Sequence, residues 1–222
     1  MKKKKKWCGY LIAALSVFLF SGPPLVSEES IPTTREMNLM TWTEFQEIVP
    51  ARIDTVLLPL GSIEPHGVIP SGTDSLAPTA MAVAIAARLN ALIAPTLNYG
   101  VTPAMQAYPG SVSITAETYA PFVAQVMEGL ADQRFLNIIV LNGHGGNTDT
   151  VKKVATRVSV EKRVRILVIN WWSLADDITK EVFGENGGHA GNNETAYVQA
   201  VVPDHIHPER LCRPARQRGR PG

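Results

Sequence analysis

Asp54-Thr-Val-Leu-Leu-Pro-Leu60 runs directly into Gly61-Ser-Ile-Glu-Pro-His66, so an almost wholly apolar segment hands the chain to a loop bearing a carboxylate and an imidazole. A short apolar run of this kind reads as a strand buried on both faces. Upstream, Thr41 stands where a helix cap belongs, just before Trp42 to Ile48. Downstream the alternation repeats. A helix is expected from near Ser75, with Pro78 in its first turn and Met81 to Leu89 as its body, then a strand from Leu92 to Leu97. Thr115 caps a helix reaching about Asp132, and Asn137 to Leu141 is a β-branched strand. A helix from Thr148 to about Val160 and a strand from Val164 to Asn170 follow. Strands alternating with helices predict an α/β fold: a three-layer α/β/α sandwich with a mostly parallel central sheet and right-handed crossovers.

That prediction locates the chemistry. Open α/β sheets bind ligands outside the carboxyl ends of their strands. Both the Glu64 loop and Gly143-His-Gly-Gly146 fall there.

The 222 residues allow one compact domain plus a tail, and 45% hydrophobic with 18% charged residues is a globular composition. The net charge of +1 hides an uneven distribution. Lys2 to Lys6 and Arg213, Arg216, Arg218 and Arg220 sit at the ends, leaving 12 basic against 20 acidic residues between positions 7 and 210. An acidic body excludes a nucleic-acid binder, which needs a basic face for phosphates. At the N-terminus, the five lysines precede an apolar run from Trp7 to Phe20 that ends at Ser21-Gly-Pro-Pro24. This is the layout of an export signal, with an uncleaved membrane anchor as the rival, and residues 1–27 are assigned to it. A periplasmic or secreted location follows. Cys8 falls inside that segment, so Cys212 has no intramolecular partner in a processed chain. Residues 211–222 are Arg/Pro/Gly-rich and read as a basic tail, disordered or truncated.

Three loops carry candidate chemistry. Glu64-Pro-His66 and the Asp74 that follows at Gly72-Thr-Asp74 place two carboxylates and an imidazole within eleven residues. Without thiolate, such a set suits zinc, manganese or iron rather than a structural cysteine site. The plainer reading makes Asp74 a helix cap and His66 a backbone-bonding residue. In Asn142-Gly-His-Gly-Gly-Asn147, glycines surrounding His144 permit positive φ and close approach to a ligand. In His189-Ala-Gly-Asn-Asn-Glu194-Thr195, Glu194 lies near the start of a helix running to about Val202, where a carboxylate is favoured. Of the five histidines, His66, His144 and His189 occupy these loops, whereas His205 and His207 read as surface residues. A metal site is the simplest reason to gather the first three.

These segments resemble the creatininase family of metal-dependent hydrolases. The resemblance rests on Leu58-Pro-Leu-Gly-Ser-Ile-Glu-Pro-His-Gly67, Gly72-Thr-Asp74, Asn98-Tyr-Gly100, Tyr108-Pro-Gly-Ser-Val-Ser-Ile114, Asn142-Gly-His-Gly-Gly-Asn147 and the loop from His189 to Thr195, in family order. It implies a creatininase-like α/β domain over residues 28–210, homo-oligomeric and often hexameric, with two divalent metals per chain. One metal is expected between Glu64, Asp74 and His144, the other between His66, Asp74 and a further carboxylate, with Asp74 bridging. His189 matches the residue proposed to protonate the leaving nitrogen.

The chain departs from the family pattern in places. Creatinine-cleaving members carry a glutamate two positions after the histidine matching His144, where this chain has Gly146, so Glu194 is expected to supply the missing carboxylate. A further glutamate of the common pattern is replaced by Asn192, the spacing from His66 to Asp74 is one residue shorter, and a second histidine is absent there. The expected activity is cleavage of a C–N bond in a small cyclic amide or formamide by metal-activated water. A short-peptide hydrolase and an inactive, membrane-associated metal-binding protein are the competing expectations.

Overall fold

The computed structural model describes residues 34–210. The expected export signal and basic tail lie outside the described residues.

Helix α1 (Trp42–Ile48) begins as its sequence demands. Thr41 accepts from the backbone of Glu44, and the Glu44 side chain returns a bond to the Thr41 backbone, closing a capping box. The next elements are β1 (Thr55–Leu60), α2 (Thr73–Ala86), β2 (Ala91–Ile93), α3 (Ala116–Asp132), β3 (Asn137–Asn142), α4 (Thr148–Lys162) and β4 (Arg165–Asn170). The strands form a four-stranded sheet in the order β2-β1-β3-β4, and every neighbouring pair is parallel. The register sets Leu60 beside Asn142 and Asn142 beside Asn170, so three strands end at one level.

Alternation along β1 separates the two faces of the sheet. Val56, Leu58 and Leu60, with Ile138 and Val140, pack against Tyr119, Val123 and Met127 of α3 and Val151, Val154 and Val158 of α4. Leu57 and Leu141 face the opposite way, onto Ala82 and Ala86 of α2. Helices on both faces of a parallel sheet make the three-layer sandwich.

Some boundaries differ from expectation, including the end of α2, which stops at Ala86 rather than Leu89. The strand expected over Leu92 to Leu97 is only Ala91–Ile93, because Pro95 has no N–H to continue the ladder. The chain returns to the sheet at Leu97, whose N–H donates to the Pro59 carbonyl at 3.1 Å. Helix α2 begins at Thr73 rather than near Ser75, which places Pro78 beyond the first turn. The missing N–H of Pro78 leaves the Asp74 carbonyl without its helical donor.

Beyond β4 come α5 (Trp171–Leu174), α6 (Asp176–Phe183) and α7 (Asn192–Val201). The first two were not anticipated, although Asp176 and Asp177 in the first turn of α6 and Gly184 at φ +76° after its last turn are start and stop signals. Helix α7 leans on α2, with the Tyr197 hydroxyl donating to the Ala77 carbonyl at 3.0 Å. Among the described residues, no helix is long and apolar enough to cross a membrane.

Candidate metal centre

Every candidate loop leaves the carboxyl end of a strand or enters the start of a helix at that rim. Ser62, Glu64 and His66 follow β1, His144 follows β3, Asp74 lies in the first turn of α2, and Glu194 lies in the first turn of α7. Glu64, His66, Asp74 and His144 are all buried, and Glu194 borders on burial at 9%. Buried ionisable groups in such number need each other or a bound ion.

Asp74 is the hub. Its Oδ1 lies 3.0 Å from His66 Nε2, while its Oδ2 lies 2.8 Å from His144 Nδ1 and accepts from the Ser62 hydroxyl at 2.6 Å. Glu64 Oε1 is 3.3 Å from His144 Nδ1 and 3.3 Å from His189 Nδ1. Glu194 Oε2 is 3.7 Å from His66 Nε2 and accepts from the Ala190 N–H at 2.6 Å. Three donor sets have all their ligand atoms within 4.8 Å of one another: Glu64, Asp74 and His144; His66, Asp74 and Glu194; and Glu64, His66 and His189. The first two share Asp74, whose Oδ2 faces His144 and whose Oδ1 faces His66. The plainer alternative, Asp74 as a helix cap, is not seen, since Gly72 occupies the cap position and Asp74 turns inward.

The three imidazoles share one pattern of support. His66 Nδ1 meets the Glu64 carbonyl at 2.9 Å, His144 Nε2 meets the Val101 carbonyl at 2.9 Å, and His189 Nε2 meets the Pro65 carbonyl at 2.8 Å. A carbonyl only accepts, so the single N–H of each neutral ring lies on that side and the other nitrogen turns a lone pair toward carboxylate oxygens. Lone pairs facing one another at this range require a proton or a cation between them. Histidine ligands of metals are supported in this way, and the donor set fits a divalent ion.

Proton affinities carry the same signature. Burial alone pushes the His144 pKa down, yet the bonds and charges of Asp74 and Glu64 outweigh it and raise it to about 10. His66 is likewise raised, its burial overcome by Asp74. For Asp74, burial opposes ionisation, but His144 and His66 hold its carboxyl well below the ordinary range. Glu64 is lowered against burial by His144 and Thr102. Glu194 goes the other way, raised chiefly by burial.

The positive φ expected of the glycines around His144 is not seen. None of Gly143, Gly145 and Gly146 has positive φ. Two of them are needed for space: a Cβ at Gly143 would stand 1.8 Å from the Asp74 carbonyl that Pro78 leaves free, and one at Gly146 would stand 2.0 Å from the Val101 carbonyl. Residues unsingled by the sequence complete the centre. Thr102 donates to Glu64 Oε2, and Asn142 donates to the His144 carbonyl at 2.9 Å. Asn147 bonds both the Val101 N–H and the Gly61 carbonyl. Asn142 and Asn147 flank the glycine motif, which was a readable signal. Thr102 had only its place after Asn98-Tyr-Gly100.

A cavity of about 260 Å³ opens over these groups, lined also by Trp172, Asp176 and Asn193. His189, 39% exposed, stands at its rim, and the exposed His205 does not line it.

Comparisons with known proteins agree with this geometry. The creatininase family model, described as creatinine amidohydrolase, matches residues 38–222. Creatinine amidohydrolase of Pseudomonas putida is 26% identical over 191 residues, which cover 78% of this chain and 74% of that protein. Mycofactocin precursor peptide peptidase of Mycobacterium ulcerans (strain Agy99) is 27% identical over 193 residues, covering 82% and 70%. A crystal structure of creatinine amidohydrolase superposes with a TM-score of 0.75 at 25% identity, over 81% of this chain and 76% of that one. A structure described as "Creatininase Mn" gives 0.73 at 25% identity, over 80% and 76%. With its motifs in order, its parallel sheet matched and its donor residues converging at one rim, the chain belongs to the creatininase family of hydrolases acting on C–N bonds.

Proposed function

We propose that this chain is a metal-dependent amidohydrolase that cleaves a C–N bond of a small cyclic amide or formamide. The observation that carries the reading is the pair of donor sets sharing Asp74, Glu64/Asp74/His144 and His66/Asp74/Glu194. These residues would hold one divalent ion each, with zinc, manganese and iron all compatible with the oxygen and nitrogen donors. When bound, such ions acidify water and polarise a carbonyl, which lets an amide be attacked near neutral pH.

The chain's own residues supply the rest. Ser62 and the two buried imidazoles keep Asp74 ionised, and Thr102 turns one oxygen of Glu64 away so that the other faces the centre. His189, at the cavity rim beside Glu64, is placed to pass a proton to a departing nitrogen. The cavity of about 260 Å³ lies just below the usual range of small-molecule sites, which favours a small substrate. The likeness to a peptide-cleaving relative keeps short peptides as the second reading.

Elemental analysis of the purified protein, followed by a panel of cyclic amides, formamides and dipeptides, tests the proposal. Bound divalent metal and chelator-sensitive turnover of a cyclic amide or formamide are expected. Metal-free protein with undiminished turnover would overturn it, and turnover of dipeptides alone would select the second reading. Metal without any turnover would favour the inactive binding protein.

Export is supported by Lys2 to Lys6 preceding the apolar run to Phe20, and mass spectra of the N-terminus from fractionated cells test it. Self-association is supported by the exposed apolar side chains Leu174 of α5 and Ile178 and Val182 of α6, at 75%, 65% and 65% exposure. Sedimentation measurements test that part; a monomer would refute it.

A further inference from the structure

One short segment, Gly100-Val101-Thr102, holds His144 and Glu64 of the Glu64/Asp74/His144 set by hydrogen bonds and none of His66, Asp74 and Glu194. The Val101 carbonyl takes the His144 Nε2–H, which leaves Nδ1 facing Asp74 and Glu64. The next side chain, Thr102, donates its hydroxyl to Glu64 Oε2, which leaves Oε1 facing His144. The segment is itself held on every side. The Val101 N–H donates to Asn147 Oδ1 at 2.9 Å, and Asn147 Nδ2 donates to the Gly61 carbonyl at 3.1 Å. The Thr102 N–H donates to Ser113 Oγ at 3.0 Å, and the Gly100 carbonyl accepts from the Ile114 N–H at 2.9 Å. Asn147 is wholly buried and Thr102 is 2% exposed. No room exists for a side chain at position 100, where a Cβ would meet Asn147 Oδ1 at 2.5 Å.

The second set is supported differently. His66 leans on the Glu64 carbonyl of its own loop. Glu194 takes the Ala190 N–H on Oε2, the same oxygen that lies 3.7 Å from His66 Nε2, and among the described residues no side chain donates to it. The orienting hydrogen bonds are therefore distributed unevenly between the two sets.

We propose that the 100–102 segment is a clamp dedicated to the Glu64/Asp74/His144 set, with Thr102 and Asn147 as positioning residues that fix metal affinity there and leave the His66/Asp74/Glu194 set unaffected. The proposal rests on the metal-binding reading above. Removing an outer hydrogen bond to a metal ligand typically lowers affinity by about 10- to 100-fold.

The test is titration of the metal-stripped full chain with zinc chloride, followed by calorimetry and by competition with a chromophoric chelator. Thr102→Val removes the hydroxyl at nearly constant shape, so it avoids the refolding hazard of truncating Asn147. One uptake step should weaken by about 10- to 100-fold, with the other step unchanged. Thr102→Ser should restore the lost affinity to within about threefold, because it returns the donor. Glu194→Gln should weaken only the opposite step. If the wild-type chain takes up a single equivalent, its sensitivity to Thr102→Val and not to Glu194→Gln supports the clamp, and the reverse overturns it. Equal weakening of both steps, no weakening, or failure of Thr102→Ser to rescue would also overturn it. A wild-type chain that takes up no zinc would instead remove the metal reading itself.

Discussion

His144 Nδ1 lies 2.8 Å from Asp74 Oδ2, and the same ring gives its other N–H to the Val101 carbonyl. The imidazole is thus charged when alone with its carboxylates and must lose a proton to accept a metal. At pH 7 the metal-free His144, with its pKa raised to about 10, carries that proton. Metal uptake should release protons, and apparent affinity should rise from pH 6 to pH 8 by up to about tenfold per unit for each proton displaced. Calorimetry in buffers of different ionisation enthalpy measures the release; pH-independent affinity would contradict it. The linked stability has a definite sign. In chelated protein the His144 contribution is complete below its ordinary value of 6.5 and is lost as pH rises through about 10. The Asp74 contribution is present above 3.8 and is lost as pH falls through its depressed folded value.

Asp74 belongs to two donor sets, whereas Glu194 belongs to one. Asp74→Asn should therefore abolish tight uptake at both, and Glu194→Gln should leave one equivalent bound. Metal counted per chain by mass spectrometry after desalting decides this. Two equivalents retained by Asp74→Asn would show that it does not bridge.

At position 146 the family resemblance implies a glutamate and this chain has Gly, where a Cβ would crowd the Val101 carbonyl and come within 2.6 Å of His144 Nε2. Gly146→Glu should lower metal content rather than supply a better ligand, because displacing that carbonyl releases the His144 ring. A variant that binds more zinc than wild type would refute the steric account.

For His189, the exposed position at the cavity rim predicts a division between binding and turnover. His189→Ala should retain the wild-type metal content while kcat on whichever amide is cleaved falls by about 10²- to 10⁴-fold. A loss of metal instead would make it a ligand, a role its place beside Glu64 and His66 would also permit.

Leu58 is fully buried on the face of β1 that meets α3 and α4. Leu58→Ala should cost about 2–5 kcal/mol of stability, through lost burial and an unfilled cavity. Urea unfolding monitored by circular dichroism measures it, and a change below about 1 kcal/mol would mean that the sheet relaxes around the gap.

How far the sequence could be read depends on the kind of interaction. The strands at Thr55–Leu60 and Asn137–Asn142 and the Thr41 and Thr115 caps were legible because burial and capping are local patterns. His66, His144 and His189 stood out as three of only five histidines, each in a glycine-rich loop, whereas the ligand role of Glu194 came from the family resemblance alone. Pro95 shortened a strand by removing a donor, an effect that apolar periodicity does not register, and α2 starts earlier than expected because Pro78 lies inside the helix rather than in its first turn. The short α5 and the amphipathic α6 were missed because they follow β4 without the linker that normally announces a helix. Thr102 escaped because its importance comes from contact with Glu64, 38 residues away in sequence.

The carbonyls of Glu64, Pro65 and Val101, which orient the three imidazoles, are present whatever side chain those positions bear. Related chains can therefore diverge at positions 65 and 101 while keeping the ring tautomers, provided the backbone path survives. What inheritance must preserve at these two places is a trajectory rather than a letter.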